Sequence, residues 1–87
     1  MIIQFHRYFE KRYQKLSLSL QQKVDQTIRA FAQDPRAPKL RNHALSGTLL
    51  GKRAISVTGD VRIIYEMQGE HVIVLFLDVG SHAQLYE

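Results

Sequence analysis

Between Gly51 and Asp78 three short runs suited to strands are separated by two turns. Arg53, Ile55 and Val57 alternate with Ala54 and Ser56, and Thr58-Gly59-Asp60 ends that run. Val61 to Glu66 forms a second run, Gln68-Gly69-Glu70 a second turn, and His71 to Asp78 a third run. A period of two, interrupted by turn residues, predicts consecutive antiparallel strands. Val72 to Leu77 is apolar at every position, which predicts a central strand covered on both faces. A sheet of this kind needs a second layer to bury its apolar face.

That layer is encoded in the first third of the chain. Met1 to Phe5 reads as a short strand, after which Phe9, Tyr13 and Leu16 fall at helical spacing, with Lys11, Arg12 and Lys15 on other faces. Ser17-Leu18-Ser19-Leu20 interrupts this helix, and Ser19 followed by Gln22 fits a capping box opening a second one. Leu20, Val24, Ile28 and Phe31 form one stripe, and Asp34-Pro35 ends it, because the residue before proline is driven out of the α region. Two helices joined so closely should fold into a hairpin. Arg36 to Leu50 reads as a loop, with Pro38, Asn42, Ser46 and Gly47. The expected fold is α+β in the order β-α-α-β-β-β, one domain over residues 1–87: an antiparallel sheet with the helical hairpin on one face and the other face left for a ligand or partner.

Charge is distributed unevenly along this frame. The net charge is +4, yet residues 59–87 carry Arg62 as their only Lys or Arg. From Pro35 to Gly59 there are five cations (Arg36, Lys39, Arg41, Lys52, Arg53) and no carboxylate, a pattern suited to a polyanion or an acidic protein, or to a loop kept soluble by its charge. Cysteine is absent, which excludes disulfides and thiolate metal sites. The longest apolar run is far short of a membrane span, and the N-terminus lacks the layout of a signal peptide, so a cytoplasmic location without membrane association is expected. Neither phosphate-binding glycine loops nor recognisable metal-ligand spacings occur, so no cofactor and no metal are expected.

The residues able to do chemistry gather near the turns. His82 follows Gly80-Ser81 at the exit of the last strand, and histidine gives and takes protons near neutral pH; the plain alternative is a surface histidine. Arg62 in Val-Arg-Ile-Ile-Tyr can clamp a phosphate or pair with Glu66 or Asp78. Asp60 can serve as a base or simply make the turn, and His43 beside Arg41 can take part in proton transfer or be an exposed loop residue. Tyr86 can stack on a base or pin the C-terminal segment.

Three segments, in this order, carry a resemblance: His43-Ala44-Leu45-Ser46-Gly47 with Gly51-Lys52-Arg53, then Asp60-Val61-Arg62-Ile63-Ile64-Tyr65, then Gly80-Ser81-His82-Ala83-Gln84-Leu85-Tyr86. The chain resembles the RelE/ParE superfamily of type II toxin–antitoxin toxins, and within it the YafQ branch, over nearly its whole length. That resemblance implies a ribosome-dependent mRNA endoribonuclease. His43, Asp60 and His82 would belong to its active site, His82 would be the main proton-transfer residue, and Tyr86 would hold an aromatic position. Arg62 follows the wider RelE pattern, in which such an arginine contacts the scissile phosphate. Ser56 stands where YafQ has a histidine, and Val61 where it has a bulky aromatic.

The implied reaction is metal-free attack of a 2′-hydroxyl on the adjacent phosphate, with Asp60 or His43 as base. Lys39, Arg41, Lys52, Arg53 and Tyr86 are the expected RNA-binding residues. The resemblance also implies a cognate antitoxin, the ribosome and mRNA as partners, and operator DNA bound by the toxin–antitoxin complex. Two alternatives share the fold: a ParE-like gyrase inhibitor, and a non-catalytic homologue that binds only the antitoxin.

Overall fold

Strand β4 (Val61–Gln68) is the middle of a five-stranded sheet ordered β1-β5-β4-β3-β2. In the computed structural model, which describes residues 1–70 and 72–86, β1 spans Ile2–Phe5, β2 His43–Ala44, β3 Arg53–Ser56 and β5 Ile73–Ser81. Strands β2 to β5 pair antiparallel, whereas β1 pairs parallel to β5 from Ile2↔Ile73 to Phe5↔Phe76. The meander is as expected, and β1 makes the whole sheet mixed. The expected start of the last strand at His71 lies outside the described residues.

Helices α1 (Arg7–Lys15) and α2 (Leu18–Gln33) form the second layer. Ser17, not Ser19, caps α2: its Oγ accepts the Leu20 N–H at 3.2 Å. Gln21 turns back to donate to the Tyr13 carbonyl at 2.9 Å, and the Tyr13 hydroxyl donates to Asp25 Oδ1 at 2.7 Å, so the two helices are fastened together. Val24 and Phe31 from α2 and Phe9 from α1 bury against Ile55, Ile63, Tyr65, Val74, Phe76 and Val79 on the inner face of the sheet. Rings of Phe31, Tyr65 and Phe76 meet edge to face with centroids 5.0 to 6.1 Å apart.

The apolar run Val72–Leu77 is not covered on both faces. Val74 and Phe76 are fully buried, but Val72 is 52% exposed and Ile73, Leu75 and Leu77 are half-buried. A bulge in the β4–β5 register pairs Ile64 with Asp78 and Tyr65 with Phe76, leaving Leu77 extra. It brings both Phe76 and Val79 into the core despite their odd spacing. Arg36 to Leu50 is also more ordered than a plain loop, with 3₁₀ turns at Pro38–Leu40 and Gly47–Leu49 and the short β2 between them. Among the described residues no helix is long and apolar enough to cross a membrane.

Candidate active site

At one end of the sheet's outer face, the β3–β4 turn meets the exit of β5. Thr58 Oγ1 accepts the N–H groups of Asp60 at 3.3 Å and Val61 at 3.0 Å, which fixes the turn. Val61 pairs with Ser81 across the strands, so Asp60 stands beside the start of α3 (His82–Tyr86). The Asp60 carbonyl and Oδ1 both accept the His82 N–H, at 3.1 and 3.3 Å.

A reciprocal pair of hydrogen bonds completes the junction. Gln84 N–H donates to Ser81 Oγ at 3.2 Å, and Ser81 N–H donates to Gln84 Oε1 at 2.9 Å. This is capping-box geometry, here on Ser81-His82-Ala83-Gln84. Gly80 makes room for it: a Cβ there would stand 2.6 Å from Gln84 Oε1 and 3.2 Å from Arg12 Nη1. A five-residue helix, too short to hold itself, is thereby fixed in place.

His82 is exposed, and its ring packs against Tyr86 with centroids 4.5 Å apart and planes tilted by 48°. Tyr86 is half-buried; burial raises its pKa above the ordinary phenol value, and the positive charge of Arg62 acts in the opposite sense. Arg62 is paired with neither Glu66 nor Asp78 among the described residues; Asp78 bonds Arg12 instead, at 3.2 Å. Arg62 Nη1 donates to the carbonyls of Thr58 at 2.6 Å and Val61 at 3.2 Å, and Arg62 Nη2 to the Gly59 carbonyl at 3.1 Å. The guanidinium is therefore clamped onto the turn that carries Asp60, with N–H groups left over for an anion.

Beside that turn lies a cavity of about 210 Å³ whose lining includes Lys39, Arg41, Arg62, Ser56 and Thr58. Three cations, two hydroxyls and no carboxylate in that lining are groups of the kind that hold an anion. His43 is on β2, where it pairs with Ala54, which pairs with Ile64; Arg62 pairs with Ser56 and Gly80 one row along. Cross-strand partners share a face, so His43 and Arg62 are both on the outer face, their backbones roughly 12 Å apart by strand spacing. His43 Nδ1 is 2.9 Å from the Arg41 carbonyl. A carbonyl only accepts, so this nitrogen carries the proton and Nε2 of the neutral ring is left as a bare acceptor.

The expected RNA-binding residues divide between the two faces. Lys39 and Arg41 flank the anion cavity, and Lys52 lines a separate outer-face cavity with Ile64, Leu77 and Leu85. Arg53 sits elsewhere: it pairs across β4 with the buried Tyr65, and its Nε donates to Asn42 Oδ1 at 2.8 Å on the inner-face side. Tyr86 lies against His82 and so supports that ring. Thr58, Ser81 and Gln84 are not among the site residues expected from the sequence, although Ser81-x-x-Gln84 is itself a legible capping signal.

Residues 1–87 match the family model described as bacterial toxin of type II toxin-antitoxin system, YafQ. The chain belongs to the YafQ family. Among solved structures, the YoeB/ParE toxin from Agrobacterium tumefaciens is similar with a TM-score of 0.78 and 19% identity, over 94% of this chain and 99% of that one. YafQ from E. coli strain BL21(DE3) gives 0.76 and 18%, over 98% and 97%. The structure of the E. coli DinJ-YafQ complex gives 0.68 and 20%, over 98% and 97%. These likenesses show the RelE-like fold of this YafQ-family toxin. No curated protein matches the chain by sequence.

Proposed function

We propose that this YafQ-family toxin is a ribosome-dependent mRNA endoribonuclease that cleaves by attack of a 2′-hydroxyl on the adjacent phosphate. The observation that carries the reading is the joining of Asp60, Arg62 and His82 at one corner of the sheet, beside a cavity lined by Lys39, Arg41 and Arg62. His43, with Nε2 bare, accepts the 2′-hydroxyl proton. Arg62, held by turn carbonyls, meets the charge that grows on the phosphate oxygens. His82 protonates the departing 5′ oxygen, and Tyr86 keeps its ring in place. Asp60 acts as a positioning residue through the His82 backbone. Each proton removed at one end is returned at the other, and the products are a 2′,3′-cyclic phosphate and a 5′-hydroxyl.

Lys39 and Arg41 extend the cationic track along the message. Their attraction acts by counterion release, so ribosome binding weakens with salt. The partners under this reading are the ribosome with its mRNA and a cognate antitoxin, the toxin–antitoxin complex binds operator DNA, and the site of action is the cytoplasm. The DinJ-YafQ complex and the RelBE2 toxin-antitoxin complex of Mycobacterium tuberculosis, both similar to this chain, support the antitoxin partner. Analysis of the cleaved ends tests the chemistry: 2′,3′-cyclic phosphate and 5′-hydroxyl termini are expected, whereas 3′-hydroxyl and 5′-phosphate termini would overturn the internal-attack mechanism.

A further inference from the structure

Strand β1 ends one side of the sheet, and its outer edge is open. The Ile2 N–H donates to the Val72 carbonyl and the His6 N–H to the Phe76 carbonyl, each at 2.8 Å, so the even-numbered residues of this segment pair with β5. Alternation then turns the N–H and C=O groups of Ile3 and Phe5 outward, to the free edge. Nothing in the strand guards them. Ile2–Phe5 holds no lysine, proline or charged residue, and its pairing with β5 runs without a bulge. Apolar side chains collect along the same edge: Met1, Ile2, Phe5, Tyr8 and Val72 are 42 to 59% exposed. Among the described residues only Leu18 and Leu50 are large, apolar and exposed elsewhere.

We infer that β1 pairs antiparallel with β1 of a second copy of this chain, about a two-fold axis at Gln4, joining the two sheets into one. Register selects the occupant. Directly opposed residues of an antiparallel pair share a face, and the open backbone groups belong to Ile3 and Phe5. An axis at Gln4 sets Ile3 of each copy against Phe5 of the other, each pair exchanging both its N–H···O bonds, with Gln4 opposite its own mate between them. Ile3 and Phe5 lie on the inner face, where the Phe5 ring meets Phe9 and Phe76 with centroids 5.2 and 5.6 Å away, so the core of one copy continues into the other. On the outer face Ile2 meets His6 of the copy, on which Tyr8 is stacked at 5.0 Å. One patch thus complements itself, as a closed two-fold dimer requires. β5 and β4 separate β1 from β3, so the pairing leaves the cationic cavity beside Arg62 open.

Sedimentation of the purified chain over a range of concentrations tests the pairing, with the folding of each variant checked by circular dichroism. Wild type is expected to pass from monomer to dimer as concentration rises. Gln4→Lys sets like charges opposite each other on the axis and should weaken the dimer roughly fivefold or more, while an equimolar mixture with Gln4→Glu should recover it. Cysteine gives a second readout: the chain has none of its own, and Cα atoms about 4.5 Å apart at a non-hydrogen-bonded pair are within disulfide reach. Gln4→Cys should therefore oxidise to a covalent dimer, and Gln22→Cys, at an exposed position of α2, should not. A wild type that stays monomeric at every concentration would overturn the inference, as would a dimer that Gln4→Lys leaves intact and Gln4→Cys does not cross-link. If Gln4→Lys fails to fold, the two cysteine variants decide. A monomer whose Ile3 and Phe5 amides become protected from hydrogen exchange only when the antitoxin is added would also overturn it and give the edge to that partner.

Discussion

Asp60 holds His82 by the backbone: one N–H of the histidine is shared between the carbonyl and Oδ1 of the aspartate, at 3.1 and 3.3 Å. The aspartate side chain thus tethers the turn before β4 to the helix after β5. The candidate proton donor depends on that tether for its position, because α3 has only five residues.

Substitutions at Asp60 separate positioning from proton transfer. Asp60→Asn keeps an oxygen at Oδ1 and is expected to cleave within about tenfold of wild type, while Asp60→Ala loses a capping acceptor worth about 1 kcal/mol and falls further. Single-turnover cleavage with both variants checks this. Should Asp60→Asn lose the ~10²–10⁴ typical of a missing base, Asp60 would take that role from His43.

Gly80→Ala should push Gln84 out of its reciprocal bonds with Ser81, since the new methyl meets Gln84 Oε1 at 2.6 Å. The expected cost is about 1 kcal/mol, seen as a Tm lower by roughly 4–8 °C, together with reduced cleavage. Thermal melts and cleavage rates measured side by side check it, and an unaltered Tm would contradict the account of the junction.

Arg62→Lys retains charge but cannot reach the carbonyls of Thr58, Gly59 and Val61 together. Cleavage should fall by roughly 10²-fold, the usual loss when a transition-state donor is removed. A lysine variant as active as wild type would show that charge alone suffices.

Alkaline stability should report on Tyr13. Its hydrogen bond to Asp25, then its burial, then the charge of Asp25 raise its pKa above the ordinary phenol value, so the folded state prefers the protonated phenol. The stabilisation is complete below the ordinary phenol pKa and disappears as pH rises through the raised one. Tyr13→Phe should flatten the fall of Tm above about pH 10; Tyr86, also raised, acts with the same sign and remains. An identical alkaline slope in the variant would contradict the linkage.

Local signals in the sequence were sufficient for the helical hairpin and the three-strand meander, because Val24, Ile28 and Phe31 recur at helical spacing and Arg53, Ile55 and Val57 alternate with Ala54 and Ser56. Parallel pairing of β1 with β5 was not legible: residues 2–5 meet residues 73–76 through contacts that no local pattern encodes. The run Val72–Leu77 is apolar throughout, yet an unbroken apolar run does not encode whether a second layer covers the other face; Val74 and Phe76 are buried, while Ile73, Leu75 and Leu77 are only half-buried. The spacing of Ser19 to Gln22 matches a capping box, yet α2 starts at Leu18 and Ser17 caps it. At the candidate site, Asp60, Arg62 and His82 do come together, whereas Arg53 falls on the inner side, because period-two alternation along β3 puts it on the same face as Ile55.

The most direct measurement of the central claim is mapping of message ends in a reconstituted translation reaction, with wild type, His82→Ala and a reaction lacking ribosomes. His82 is exposed, so the variant should fold normally. Cuts at the ribosomal A site are expected with wild type, absent without ribosomes and reduced ~10²–10⁴-fold in the variant. Undiminished cuts by folded His82→Ala, or none by folded wild type, would contradict the account.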